Sequence, residues 1–188
     1  MRVAFCTIML TVAFFMTGCE DKESIKSSDI VSSSEEIEES KKSHTLTSLS
    51  GESFKVTQNE AGIEITNTDG KVVVLDFFAT WCPPCRATAP HLVNLQDKYK
   101  DNLVIIGVQM EKKADAKDAL QKFKEEFSIN YPLVYGEANY DVAEALGGIP
   151  SIPYMIIYNP DGEYVNHYIG VVPEEMLEQN IKDAAGLQ

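Results

Sequence analysis

The chain has little positive charge, and none of it is concentrated. Lys and Arg number 16 against 29 Asp and Glu in 188 residues, which gives a formal net charge of −13. Binding to a nucleic-acid backbone requires clustered Lys and Arg, and no such cluster occurs along the sequence. The composition therefore argues against nucleic acid as a partner.

Metal-ligating residues are scarce as well. The three histidines, His44, His91 and His167, have no ligand spacing, and the sequence contains no second Cys-x-x-Cys pair. A structural zinc site needs four such ligands, so we expect neither a metal nor another cofactor. Internal repeats are also absent.

Long hydrophobic runs are missing apart from one at the N-terminus. Met1-Arg2 gives a short positive start, and Val3 to Met16 is apolar except for two threonines. This run is too short for a comfortable membrane span and is typical of an export signal. We therefore assign residues 1–18 to a signal peptide, with an uncleaved anchor as the alternative.

The signal-like run ends in Met16-Thr17-Gly18-Cys19, which resembles the bacterial lipobox. In that motif small residues precede a cysteine that is lipidated and becomes the mature N-terminus. The first residue of the motif departs from the usual Leu. The resemblance predicts a lipid on Cys19 and loss of Cys6, which leaves Cys82 and Cys85 for chemistry. An ordinary signal peptide with a chance cysteine is the alternative.

The segment that follows is polar. From Glu20 to about Lys42 it consists largely of Ser, Glu and Lys, a composition that cannot repay the entropy of folding. We predict that residues 19–45 form a lipidated, flexible acidic tether and that residues 46–188 form the folded domain. A spacer that holds the domain off a membrane is favoured over an acidic binding tail.

The remaining residues alternate between strand-like and helix-like segments, which is typical of a compact α/β domain. A leading hairpin is predicted over residues 53–66, followed by a buried central strand at 72–78. A helix at 86–99 and an apolar strand at 103–109 complete a β-α-β crossover. The other predicted elements are helices at 115–127, 140–146 and 173–185 and strands at 132–135, 154–158 and 163–169.

Trp81-Cys82-Pro83-Pro84-Cys85 lies between the central strand and the helix. Two thiols at this spacing can exchange with one disulfide, so the pentapeptide predicts a redox function. Cys82 falls at the helix N-terminus, where unsatisfied N–H groups and the helix dipole favour a thiolate. We predict that Cys82 attacks a disulfide and that Cys85, one turn on and less exposed, resolves the product. Half of a zinc site and a purely structural disulfide are the alternatives.

The two prolines between the cysteines remove backbone donors and stiffen the loop, and neither adds a charge. They constrain the geometry of the dithiol, but they do not indicate its reduction potential. A further proline, Pro90, lies inside the predicted helix, where we expect it to produce a kink.

From about Leu46 to Ala185 the chain resembles thioredoxin-fold proteins, and specifically the TlpA/ResA group of bacterial thiol-disulfide oxidoreductases. The resemblance is carried by residues 76–85 (DFFATWCPPC), by Pro90, and by Ile152-Pro153 ahead of a strand that ends in Asn-Pro-Asp-Gly. It implies an α/β thioredoxin fold with a central mixed β-sheet flanked by helices. An N-terminal β-hairpin extension and a β-α insertion complete the expected architecture.

The resemblance also implies a role for Asp76, six residues before Cys82 on a strand buried on both faces. A buried carboxylate has a raised pKa, which suits it to accept the proton of Cys85. An aspartate at a strand end that bonds to a turn is the alternative. The lysine that accompanies this aspartate in thioredoxins has no clear counterpart in the sequence.

Ile152-Pro153 is similar to the family's cis-proline site, which lies against the cysteines and pairs with an extended substrate segment. Pro150 competes for that position, but Pro153 directly precedes the strand. Trp81 is expected to be a partly exposed apolar platform, with core packing as the alternative. The residues expected to bind substrate are Trp81, Pro83, Pro84, Ile152, Pro153 and Tyr154.

Together these features predict a lipid-anchored, extracytoplasmic oxidoreductase that reduces disulfides in exported proteins. The resemblance implies a thiol-reducing membrane electron donor as a second partner. Apocytochrome c is one expected client, although Thr88 stands where many relatives that reduce it carry a glutamate. Tyr154 likewise replaces the Thr that commonly follows the cis-proline.

Two other functions are the alternatives. One is a disulfide oxidant or isomerase of the same fold, which is disfavoured because the loop between the cysteines lacks the histidine of strongly oxidising relatives. The other is a lipoprotein that binds a client or a copper ion through its thiols without turnover.

Overall fold

The computed structural model describes residues 42–187. The predicted signal peptide, the lipidation site at Cys19 and most of the predicted tether lie outside these residues. Within the described part of the chain, no helix has both the length and the apolar character needed to cross a bilayer.

The described residues form a mixed sheet with helices on both faces, which confirms the predicted α/β architecture. The helices are α1 (Pro83–Lys98), α2 (Ala116–Glu126), α3 (Ala138–Ala145) and α4 (Glu174–Ala185). The strands are β1 (Ser43–Ser48), β2 (Ser53–Gln58), β3 (Ile63–Ile65), β4 (Val72–Phe78), β5 (Leu103–Gln109), β6 (Leu133–Tyr135), β7 (Tyr154–Tyr158) and β8 (Tyr164–Ile169). Their order in the sheet is β3-β2-β1-β6-β5-β4-β7-β8. Strands β4, β5 and β6 run parallel, and the other neighbouring pairs are antiparallel.

Strand β4 is buried along its whole length, as its apolar run predicts. Alternate side chains of a strand point to opposite faces, so Val74 and Phe78 enter one core while Leu75 and Phe77 enter the other. We call the first the cysteine-side core, and its other buried residues include Cys82, Cys85, Leu92, Leu120, Phe123, Leu177 and Ile181. We call the second the hairpin-side core, and its other buried residues include Phe54, Val56, Ile63, Val142 and Ala143.

The folded domain begins earlier than the predicted boundary at residue 46. Strand β1 starts at Ser43 and lies between β2 and β6, with Ser43 opposite Thr57 and Thr47 opposite Tyr135. The sequence pattern did not predict β1, because most of its side chains are small and polar and only Leu46 and Ser48 are buried. Residues 43–45 therefore belong to the sheet and not to the tether.

The hairpin of β2 and β3 reaches the turn between β7 and β8. The N–H of Ile63 donates to the carbonyl oxygen of Gly162 at 2.9 Å, and Gly62 forms an isolated bridge with Glu163. A Cβ on Gly162 would collide with the carbonyl oxygen of Ile63, and one on Gly62 would collide with that of Gly162. The two backbones approach this closely because both positions are glycine. This contact ties the N-terminal hairpin to the far edge of the sheet.

Candidate active site

Cys82 and Cys85 form a disulfide at the start of α1. The helix begins at Pro83, three residues before its predicted start, and Cys82 is its N-cap. Both cysteines are 3% exposed. The predicted lower exposure of Cys85 is therefore wrong for this disulfide-bonded state, because both side chains pack into the cysteine-side core.

The N-terminus of α1 directs one backbone donor at Cys82. Pro83 and Pro84 occupy the first two helical positions and have no N–H. The first N–H of the helix is consequently that of Cys85, which points to Sγ of Cys82 at 3.4 Å. The first turn of this fully described helix contains no acidic residue that would oppose a negative sulfur. On reduction, this end of the helix favours a thiolate at Cys82.

The loop before β7 lies against the disulfide. The Ile152-Pro153 peptide bond is cis, and the carbonyl oxygen of Ile152 is 4.0 Å from Sγ of Cys82. Pro153 is buried, and its carbonyl accepts the N–H of Gly170 at 2.8 Å. Among residues 42–187, neither the N–H nor the carbonyl of Ile152 has a backbone hydrogen-bond partner. Ile152 thus presents a free backbone edge beside the sulfur of Cys82.

The residues expected to bind substrate fall in two places. Trp81 is 59% exposed, which excludes core packing as its role, and it adjoins the exposed Pro83 and Pro84 at the disulfide. Tyr154 points to the hairpin-side core and stacks on His167, with ring centroids 5.4 Å apart.

A groove of about 440 Å³ lies on the Tyr154 side and is lined by Gly147, Gly148, Ile149, Pro150, Tyr154, His167 and Ile169. Ile152 packs against both cores, so it lies between the disulfide and this groove. The loop that contains the cis peptide bond before Pro153 therefore lies between the surface at the disulfide and the Tyr154 groove. The residues of both surfaces were predicted together as substrate-binding.

Asp76 lies within β4, on the face that carries the cysteines. Alternation with Val74 and Phe78 directs its side chain into the cysteine-side core. The residue is 6% exposed, and its Oδ1 has no hydrogen-bond partner in the described part of the chain. Burial raises the pKa of Asp76 to about 7. The alternative of a turn-bonded aspartate is excluded, and the carboxyl can hold or release a proton near neutral pH.

Two charged side chains that the sequence analysis missed hold the loop before Cys82. The carboxylate of Glu111 accepts the N–H of Thr80 at 2.5 Å, and Arg86 donates to the carbonyl of Thr80 at 3.2 Å. Arg86 also pairs with Glu126. A sequence signal existed for Glu111, because it follows β5 closely and parallel neighbours such as β4 and β5 end at the same edge of a sheet. No comparable signal links Arg86 to its partners.

Thr88 stands at the position where the resemblance implies a glutamate in relatives that reduce apocytochrome c. It is buried, and its Oγ1 donates to the carbonyl of Pro84 at 3.0 Å. The hydroxyl therefore serves the backbone of the first helical turn. Across residues 42–187, no group of three or more His, Cys, Asp or Glu side chains is arranged to hold a metal ion.

A disulfide that caps the helix after a buried central strand, opposite a cis-proline loop, defines a thioredoxin-type redox protein. A thioredoxin-like family profile matches residues 70–164. The thiol-disulfide oxidoreductase ResA of Halalkalibacterium halodurans is 33% identical over 118 residues, which cover 62% of this chain and 64% of that protein. The ResA of Bacillus thuringiensis is 31% identical over 132 residues, which cover 69% of this chain and 73% of that protein. The chain belongs to the TlpA/ResA group of thioredoxin-like thiol-disulfide oxidoreductases, which confirms the resemblance drawn from its sequence.

Solved structures share the fold. A putative thiol:disulfide interchange protein DsbE from Chlorobium tepidum superimposes with a TM-score of 0.62 at 23% identity, covering 77% of this chain and 94% of that one. StoA from Bacillus subtilis gives a TM-score of 0.58 at 19% identity, covering 74% of this chain and 96% of that one. The thioredoxin fold is therefore confirmed. The chain spans 64% of the length of the ResA proteins from H. halodurans and B. subtilis.

Proposed function

We propose that this protein is a lipid-anchored, extracytoplasmic oxidoreductase that reduces disulfides in exported proteins. The observation that carries the proposal is the Cys82–Cys85 disulfide at the N-terminus of α1, with the free backbone edge of Ile152 at 4.0 Å from Sγ of Cys82. This arrangement brings a nucleophilic sulfur and a peptide-binding edge to one place.

The reaction starts from the reduced dithiol. The Cys82 thiolate attacks one sulfur of a client disulfide, the client S–S bond breaks, and one client cysteine leaves as a thiolate. A mixed disulfide now joins Cys82 to the other client cysteine. Cys85 gives its proton to Asp76 and attacks Sγ of Cys82, which releases the second client thiolate. Two electrons have passed to the client, and the Cys82–Cys85 disulfide has formed.

The client backbone pairs with Ile152. Its N–H and carbonyl groups, which have no backbone partner within residues 42–187, suit an extended segment that adds to the edge next to the client cysteine. The exposed ring of Trp81 supplies an apolar contact on the disulfide side, and Tyr154 supplies one in the groove on the other side of the loop. Since these contacts involve backbone and apolar surface, they suit unfolded or loosely folded clients.

Reduction is favoured over oxidation by the loop between the cysteines. A strong oxidant of this fold stabilises its reduced form, and therefore its thiolate. In the present chain Pro83 and Pro84 contribute neither a charge nor an N–H, so the first-turn donor for the Cys82 sulfur is the single N–H of Cys85. This weak stabilisation of the thiolate supports a low reduction potential.

The N-terminal sequence supports the proposed site of action. The export signal and the lipobox-like cysteine Cys19 support anchoring to a membrane outside the cytoplasm. A reductant there must be regenerated, so a thiol-reducing membrane protein is the proposed electron donor. Apocytochrome c is a candidate client, although the hydroxyl of Thr88 cannot supply the proton transfer that a glutamate would supply there.

An insulin-reduction assay with dithiothreitol tests the activity. Wild type should accelerate the precipitation of reduced insulin, and Cys82→Ser should not. Equal rates for the two proteins would refute the proposed function.

Equilibration with glutathione then tests the direction. A potential near that of thioredoxin, about −270 mV, would support a reductant, whereas one near about −120 mV would identify an oxidant and overturn that part of the proposal.

A further inference from the structure

Asp76 lies beside a residue that has no side chain. In the parallel ladder between β4 and β5, Asp76 pairs with Gly107. Paired residues of neighbouring strands project to the same face of the sheet. Gly107 therefore leaves open the space next to the Asp76 carboxyl, where any other residue would place its Cβ.

Three side chains fill this space: that of Leu133 in β6 most closely, and the rings of Phe78 and of Tyr131, which lies just before β6. A Cβ on Gly107 would lie 3.3 Å from Cε2 of Tyr131, 3.2 Å from the ring of Phe78, and in collision with Leu133. Tyr131 is only 4% exposed. The N–H of Gly107 donates to the carbonyl of Pro132 at 2.9 Å, which fixes the backbone next to Tyr131. The tyrosine ring therefore stands beside the aspartate inside the cysteine-side core.

The other elements around Asp76 contribute few groups that can ionise. Met155 of β7 pairs with it in the ladder, and α2 and α4 contribute apolar side chains to this core. From α1 and its cap come the two cysteines. Among the described residues, the buried groups of this core that can ionise are Asp76, Tyr131, Cys82 and Cys85, with Tyr99, Tyr135 and Tyr168 packed at its margin.

The ionisation of Tyr131 reflects this proximity. Burial raises the pKa of its phenol well above the ordinary value, and the negative charge of Asp76 raises it further. Tyr131 is thus a neutral, largely apolar neighbour at any pH at which Asp76 titrates.

We propose that Tyr131 is a positioning residue for the resolving step, because its ring, together with the side chains of Leu133 and Phe78, closes the gap at Gly107 and keeps water from the Asp76 carboxyl. The inference rests on the proposed function, in which Asp76 accepts the proton of Cys85. A carboxyl in contact with water titrates near its ordinary value and holds a proton weakly at neutral pH. When a ring takes the place of water, the charged carboxylate becomes less favourable relative to the neutral carboxyl. Tyr131 therefore helps to raise the pH at which Asp76 exchanges the proton.

The test is a titration of Asp76 in the full-length protein, followed by carbon-13 NMR of labelled aspartate and assigned with Asp76→Asn. Wild type should titrate near the pKa of about 7 that burial gives. Tyr131→Leu removes the ring and should lower the midpoint by about one pH unit or more, because water enters beside the carboxyl. Tyr131→Phe keeps the ring and should titrate as wild type does.

Phe123→Leu is the matched control, since Phe123 is a buried ring of the same core that packs on Phe78 with centroids 5.0 Å apart. A general loss of packing would affect Phe123→Leu and Tyr131→Leu alike, whereas the inference requires a shift in Tyr131→Leu alone. Thermal unfolding monitored by circular dichroism checks that each variant folds, and Tyr131→Met replaces Tyr131→Leu if the latter does not.

Besides an equal shift in the Phe123→Leu control, two results would overturn the inference. One is a midpoint in Tyr131→Leu, or in its Met substitute, equal to that of wild type. The other is an equal shift in Tyr131→Phe, which would assign the effect to the hydroxyl and not to the ring. Neither result affects the insulin assay with wild type and Cys82→Ser, so failure of the inference is distinguishable from failure of the proposed function.

Discussion

The backbone N–H of Cys85 donates to Sγ of Cys82 at 3.4 Å and is the first N–H that helix α1 offers. A helix N-terminus usually presents several free N–H groups to a negative charge. Here the two intervening prolines reduce that set to one. The acidity of the attacking thiol therefore depends on a feature of the loop that substitution can change.

Pro84→Ala is expected to lower the pKa of the Cys82 thiol. The substitution restores a second N–H to the first turn, and a charge at a helix end is stabilised by about 0.3–1 kcal/mol. This corresponds to about 0.2–0.7 pKa units and to a higher reduction potential. The ultraviolet absorbance of the thiolate as a function of pH measures it. Pro90→Ala, in the same helix but away from its N-terminus, is the control, and an equal effect there would contradict the explanation.

Asp76→Asn is expected to stabilise the protein, and more so at high pH. The pKa of Asp76 rises from 3.8 to about 7 on folding, so between these values the folded state holds a proton that the unfolded state has lost. The stability of wild type therefore falls as pH rises through this window, by about 4 kcal/mol in all. Because Asp76→Asn has no carboxyl to ionise at this position, its stability does not fall with pH for this reason.

Urea denaturation at about pH 5 and pH 8 measures the effect, and the advantage of Asp76→Asn should grow by roughly 3 kcal/mol between them. Asp101→Asn makes the same change at an exposed position and is expected to show no such growth. An advantage of Asp76→Asn that is independent of pH would mean that the carboxyl is not buried as described.

Glu111→Ala is expected to loosen the loop before Cys82. The N–H of Thr80 loses its carboxylate acceptor, and a hydrogen bond to a partly exposed charged group is worth about 1–2 kcal/mol. Amide hydrogen exchange at Thr80 should accelerate about 5- to 30-fold as local opening becomes easier. Glu137→Ala, which removes an exposed carboxylate 3.6 Å from Lys112, should leave that exchange rate unchanged. Equal protection of Thr80 in wild type and Glu111→Ala would refute the assignment.

The sequence predicted best those elements that are buried on both faces. The bounds of β4, β5 and β7 are as predicted, because a continuous apolar run identifies a central strand without further information. Strand β1 was missed because its exposed side chains are Ser and Thr, and its place in the sheet depends on partners distant in the chain. The start of α1 was placed too late because the prolines were treated as loop residues, although proline suits the first helical positions.

The residues of the candidate site also divide into those that the sequence predicted and those that it did not. Asp76 could be inferred as buried because it interrupts an apolar run, and the two cysteines follow directly from their spacing. Tyr131 carried no signal, since its contact with Gly107 depends on how β5 and β6 lie next to each other. Contacts of this kind are set by tertiary packing, which local patterns do not encode.

Gly162→Ala is expected to be among the most destabilising small substitutions in the domain. Gly162 has a φ of +81°, and a Cβ there would collide with the carbonyl oxygen of Ile63. We expect a loss of about 3 kcal/mol or more in the free energy of unfolding, against about 1–2 kcal/mol for Gly51→Ala. Gly51 has a similar φ of +86° and open space around it, so it isolates the backbone cost. Equal losses in urea denaturation would show that the hairpin contact is not tight.

The position of β1 also has a consequence for how the domain assembles. Among the described residues it is the first strand to be synthesised, yet Thr47 pairs with Tyr135, which emerges much later. Pairing across so long a separation is slow because the intervening chain must first be organised. We therefore expect β1, β2 and β3 to pair first among themselves, with the β1 edge of this meander unpaired until β6 has formed beside β5. Completion of the sheet is the step in which the earliest and middle parts of the domain meet.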